Sequence, residues 1–87
     1  MDNEMEQEFL KAFGKHIRDL RRQRKMSQEQ LSVHIGITVV SVSHLERGVH
    51  APTFNKLGPL ANAFGIEVWE LFQGLAKPQA VGGKTKN

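Results

Sequence analysis

An all-α fold is what this sequence predicts, and three observations carry it. Apolar residues recur at helical spacing near the start, with Phe9, Phe13, Ile17 and Leu20 falling four, four and three apart. Boundary signals then come in pairs, a hydroxyl-bearing cap before each apolar run and a glycine after it: Ser27 and Gly36, Thr38 and Gly48, Thr53 and Gly65. The one stretch rich in strand-forming residues, "ITVVSVS" at 37–43, has no second such segment to pair with.

Each element follows in order. The first helix is predicted over residues 6–24, with Glu4, Glu6 and Glu8 near its positive end and bases near its negative end. "SQEQ" at 27–30 is a capping box: Ser27 caps the second helix while Gln30 reaches back to the Ser27 N–H. Leu31 and Ile35 are that helix's apolar pair, and Gly36 ends it as a left-handed cap. The third segment is harder, because Cβ-branched residues disfavour helix. A lone strand there would leave its backbone unpaired. Helix is the better reading, with Thr38 as its cap, Val42 and Leu45 facing inward, and Val39 and Val40 left in water. A fourth helix is predicted from Leu57, Leu60, Ala61 and Phe64. Gly58 and Pro59 allow two starts for it, an irregular first turn or a regular helix from Pro59. "VWELF" at 68–72 reads as a short fifth helix, with Val68 and either Leu71 or Phe72 closing the core.

At 87 residues the chain is expected to form one domain. The division predicted is an acidic lead-in at 1–8, a helical domain at 9–72 and a mobile basic tail at 73–87. With no cysteine, disulfides and thiolate metal sites are excluded. No apolar run reaches membrane-spanning length, and the acidic N-terminus lacks the form of a signal peptide, so a cytoplasmic location is expected. Net charge is +3, but unevenly placed. Residues 1–10 hold four acids and no base, whereas residues 11–25, "KAFGKHIRDLRRQRK", hold seven bases and one acid. Such a block is either the solvated face of a helix or the footprint of a polyanion. An enzyme is not expected: tyrosine is absent too, no carboxylates pair at a pocket, and no glycine-rich phosphate loop occurs. No cofactor or metal is expected either, since His16, His34 and His50 lack ligand spacing.

Two short helices joined by the tight turn "IGIT" make a helix-turn-helix. Ser32 is small where they would cross, Gly36 sits at the turn, and Ile37, Val42 and Leu45 point to the core. Together with "LRRQRKMSQEQL", "SHLERG" and "APTFNKLGPLANAFGIEVWELF", these residues resemble the Cro/C1-type, or XRE, helix-turn-helix family over Phe13 to Phe72. The resemblance implies a compact five-helix, lambda-repressor-like domain. Such a domain binds double-stranded DNA as a symmetric homodimer on a palindromic operator and represses or activates transcription.

The same resemblance makes the third helix the recognition helix, its N-terminal part on base edges in the major groove. Thr38, Val39, Val40, Ser43 and His44 would then face DNA. Adjacent valines suit packing on thymine methyl groups, unless Val39 turns inward to the core. His44 either meets a base or touches only phosphate. Gln28, at the start of the second helix, would hold a phosphate or be simple surface, with Arg47, Asn55 and Lys56 farther along the backbone. Arg21 and Glu46 would form a structural ion pair beneath the recognition helix. Arg22, Arg24 and Lys25 lie near the duplex or merely solvate the first helix, and Lys25 stands at a turn position where relatives often carry glycine. Trp69 and Phe72 are the candidates for a dimer interface. The rival reading is a protein-interaction module, such as an antitoxin or bridging factor, that holds a protein partner through its tail.

Overall fold

The computed structural model describes residues 3–75, with side chains from residue 4. Among these residues there are four α-helices and no strand: α1 (Asn3–Gln23), α2 (Gln28–Ile35), α3 (Val39–Glu46) and α4 (Leu57–Phe64). Two 3-10 segments complete the chain path, Phe54–Lys56 leading into α4 and Val68–Phe72 following it. The fifth helix expected at 68–72 is thus a 3-10 segment. The predicted mobility of the tail falls mainly on residues 76–87, which lie outside the described residues.

Local chemistry accounts for most boundaries. Helix α1 begins at Asn3, earlier than the expected residue 6, with acids in its first turn and Arg21 and Arg22 in its last. It ends through Lys25, which adopts a left-handed backbone (φ 55°) while the Lys25 N–H donates to the Arg22 carbonyl. Ser27 Oγ accepts from the Gln30 N–H at 2.9 Å, and the Gln30 side chain accepts from the Ser27 N–H at 2.8 Å, so the capping box is complete. Gly36 closes α2 at φ 72°. Thr38 Oγ1 accepts from the Ser41 N–H and opens α3, which turns "VVSVSHLE" into helix rather than strand.

Thr53 behaves differently from the expected cap. Its hydroxyl donates to Asn55 Oδ1 at 2.6 Å and makes no bond to the following backbone. The first turn before α4 is accordingly 3-10, and Pro59 falls third in α4, where a missing N–H leaves no helical bond unmade.

One core joins the elements. It is built from Phe13 and Ile17 of α1, Leu31 and Ile35 of α2, Val42 and Leu45 of α3, Leu60, Ala61 and Phe64 of α4, and Leu71. Phe9, the first member of the predicted α1 stripe, is exposed and lies outside the core. Of the two residues expected to close the core from 68–72, only Leu71 does so. Val68 is exposed, and Phe72 stacks at the rim on Phe13 with ring centroids 5.2 Å apart. The 3-10 segment is anchored to α1 where His16 Nε2 donates to the Glu70 carbonyl at 3.1 Å.

α1 and α3 lie unusually close. A Cβ on Gly14 would stand 2.4 Å from the Leu45 carbonyl oxygen and 2.7 Å from that of Glu46, so only glycine permits this approach. Gly48 meets Lys11 in the same way and also carries a positive φ of 75°.

Candidate nucleic-acid interface

Helix α3 presents two different faces. Its back is committed to the core through Val42 and Leu45, and to an ion pair through Glu46. On its front, Val40, Ser43, His44 and Arg47 recur at i, i+3, i+4 and i+7, the spacing of one helix face. Val40 is 58 % exposed, Ser43 and His44 are half-buried, and Arg47 is exposed just past the last turn. Val39 is half-buried at the flank and belongs to neither the core nor the residues packed against it. Thr38 stands exposed at the N-terminal end, its hydroxyl engaged in the cap and donating to Ser41 Oγ.

Behind this face Arg21 holds Glu46 with both arms of its guanidinium. Nε donates to Oε2 at 2.6 Å and Nη2 to Oε1 at 3.0 Å, while Nη1 donates to the Met26 carbonyl at 2.8 Å. Both residues are buried, so the pair is shielded from water and bound by charge-assisted, bidentate geometry. The hydrogen bond to Glu46 raises the Arg21 pKa above its ordinary value, against a smaller opposing effect of burial. A raised pKa adds stability that is present at all lower pH and lost only as pH rises through it. The guanidinium therefore stays charged across the ordinary range.

Gln28 joins this network. Its Nε2 donates to Glu46 Oε1 at 3.0 Å, so the residue expected to meet a phosphate is first of all tied to the base of α3. An amide carries two N–H donors, and this bond uses one. Lys56 Nζ reaches the Gly36 carbonyl at 3.5 Å, which places the 3-10 turn of Asn55 and Lys56 beside the helix-turn-helix. Asn55 is exposed and accepts from Thr53. Arg47 shares with Glu6 and Lys11 a cleft of about 490 Å³ where the acidic start of α1 crosses the end of α3.

Two contacts on or near this surface had no signal in the sequence. His50 sets its ring edge-to-face with His44, centroids 5.4 Å apart, because the turn at Gly48 folds the chain back across a spacing that no regular element would bring together. Arg24 is engaged within the fold. Its Nε donates to the Phe64 carbonyl at 2.8 Å, Nη1 donates to the Leu20 carbonyl, and the guanidinium lies over the Phe64 ring. It ties α1 to the end of α4, whereas Arg22 and Lys25 remain exposed.

Trp69 and Phe72 lie three apart in a 3-10 segment, which places them on one side of it. They are 63 % and 38 % exposed. Among the described residues no group of three or more His, Cys, Asp and Glu could hold a metal ion, and no helix is long and apolar enough to cross a membrane.

Comparison with known proteins agrees with this geometry. A helix-turn-helix family model (HTH_3) matches residues 17–70. The chain is 36% identical over 64 residues to the uncharacterized HTH-type transcriptional regulator y4dJ of Sinorhizobium fredii, covering 74% of this chain and 83% of that protein. Among solved structures, it resembles the restriction-modification controller protein C.AhdI from Aeromonas hydrophila, with a TM-score of 0.69 and 36% identity over 72% of this chain and 96% of that one. The P22 c2 repressor in complex with synthetic operator 9T is similar with a TM-score of 0.68 and 28% identity, over 72% of this chain and 96% of the repressor chain. The DNA-binding domain of BldD matches with a TM-score of 0.64 and 31% identity, over 75% of this chain and 94% of that one.

Proposed function

The chain belongs to the Cro/C1-type helix-turn-helix family of DNA-binding transcriptional regulators, and on that basis we propose that it acts in the cytoplasm as a repressor, binding a palindromic operator as a homodimer. One observation carries this reading. The front of α3 is left open while its back is fixed by the core and by the Arg21–Glu46 pair. A rigid helix with an uncommitted outer face is what major-groove docking requires.

In this reading the N-terminal part of α3 enters the groove. Val39 and Val40 pack on thymine methyl groups, and Ser43 and His44 approach neighbouring base edges. Thr38 sits over the sugar-phosphate backbone at the groove's edge. Gln28 uses its second amide N–H on a phosphate while Glu46 holds its first, which fixes the distance from α2 to the backbone. Arg47, Asn55 and Lys56 neutralise phosphates on the flanks. Two half-sites about 34 Å apart need two recognition helices, and Trp69 and Phe72 supply an apolar patch for pairing. The P22 c2 repressor, similar over nearly its whole chain, is a repressor held on a synthetic operator, which supports both the ligand class and the sign of regulation.

The test is selection of bound duplexes from a random DNA library by the purified protein at about 150 mM salt, where non-specific contacts are weakened. A palindromic consensus with thymine-containing steps in each half is expected. With Val40→Ala the thymine preference should fade at one position per half-site, while phosphate-driven binding to unrelated DNA stays as it was. Only weak, salt-sensitive binding without a consensus would overturn the reading and favour a protein partner.

A further inference from the structure

The apolar surface does not stop at Trp69 and Phe72. Phe72 stacks on Phe13 of α1. One turn earlier on the same stripe stands Phe9, 46 % exposed, and one turn before that Met5, 65 % exposed. Met5, Phe9, Phe72 and Trp69 thus follow one another along a single edge of the molecule, from the first turns of α1 to the end of the described fold. These first turns form an arm: residues 4–9 are all exposed, and the helix continues there beyond the elements that cover its later turns.

We propose that this arm is part of the homodimer interface, with Met5 and Phe9 packing against a second copy of the chain alongside Trp69 and Phe72. The inference rests on the homodimer reading above and deepens it. Area is the first argument. A standard interface removes about 800 Å² from each partner. The exposed parts of Trp69 and Phe72 offer only on the order of 250 Å² of that. The arm's two apolar side chains nearly double the apolar centre and lengthen it along one edge.

Charge is the second argument. Residues 1–10 contain four of the chain's nine acids and none of its twelve bases, so the remainder holds twelve bases against five acids. Glu4, Glu6 and Glu8 flank Met5 and Phe9 on the arm and are exposed. An acidic arm laid against the basic body of a second copy is attracted to it, and two-fold symmetry makes that contact twice. The same arm would be repelled by the phosphates of DNA, so a second copy is the occupant its chemistry selects.

Sedimentation equilibrium of the full chain, without DNA, tests this. Wild type, Phe9→Ser, Met5→Ser and Trp69→Ala are compared, with circular dichroism of each to show that the exposed-site changes leave the helices intact. The arm variants should raise the dimer dissociation constant, Phe9→Ser by at least tenfold and Met5→Ser severalfold. Added salt should weaken wild type as well. If wild type and both arm variants dimerise equally while Trp69→Ala dissociates, the arm is not in the interface and the homodimer reading stands without it. If wild type is monomeric at every concentration, the homodimer reading fails, and this inference with it.

Discussion

Helices α2 and α3 are both eight residues long, both opened by a hydroxyl cap, and each buries three side chains. They are helical for different reasons. α2 is specified by its own ends, a complete capping box and a left-handed glycine. α3 has a weaker opening and four β-branched or hydroxyl residues in its first four positions, which intrinsic propensity disfavours. It is held instead from outside, by Arg21 and Gln28 on Glu46 and by the close backbone approach at Gly14. The difference explains how α3 can carry Val40 in water. Because its conformation is imposed from behind, the residues on its front are free of that task and can be set by what they meet.

Removing the external hold should therefore do more damage than any change to the caps. Glu46→Ala leaves Arg21 buried without its carboxylate and strips Gln28 of its partner, which should cost about 3–5 kcal/mol. Urea denaturation followed by circular dichroism would measure it. A loss below about 1 kcal/mol would mean that α3 is self-sufficient and that the contrast with α2 is wrong. Gly14→Ala is the next largest. Its methyl group would overlap the Leu45 and Glu46 carbonyls, and forcing the helices apart should cost about 1–3 kcal/mol. The displaced α3 should also lose DNA affinity out of proportion to stability, a split that DNA titration at a temperature where the variant is folded would reveal.

A cap change sharpens the comparison further. Thr38→Ala removes the bond to the Ser41 N–H and should cost about 1 kcal/mol, with the helix still formed because its outer supports remain. Ser27→Ala should cost about as much from the cap alone. It should unwind the start of α2 more visibly in amide hydrogen exchange, since α2 depends on that end.

The contrast also separates what the sequence made legible from what it did not. Ser27 with Gln30, Gly36, Thr38 and Gly65 are local signals, acting within four residues, and the helix ends fall where they indicate. The pairing of Arg21 with Glu46 spans 25 residues and was expected only through family resemblance. Arg24 on the Phe64 carbonyl and His50 against His44 were not legible at all, since each depends on where a distant or irregular turn leads the chain. At 68–72 the apolar residues were recognised but not their period. Leu71 alone of that segment lies in the core, while Val68, which the sequence reading had also placed there, is exposed together with Trp69 and Phe72. Thr53 misled because its hydroxyl serves Asn55 instead of the next helix.

The smallest expected effect lies between the two helices' modes of control, at Lys25. Its φ of 55° puts a side chain into a left-handed turn that costs roughly 1–2 kcal/mol relative to a relaxed backbone. Glycine would relieve that strain but gives the unfolded chain more freedom, which offsets about 0.5–1 kcal/mol. Lys25→Gly should thus stabilise the domain by about half a kcal/mol, read as a rise of a few degrees in Tm. The turn follows α1 and precedes the capping box, so the gain should reach α2 through its own end and leave the exchange of α3 amides, governed by Glu46 and Gly14, almost unmoved. A destabilised variant would show that the lysine makes a contact worth more than its strain. Equal protection of α2 and α3 would show instead that the two helices open as one unit, whatever the difference in how each is held.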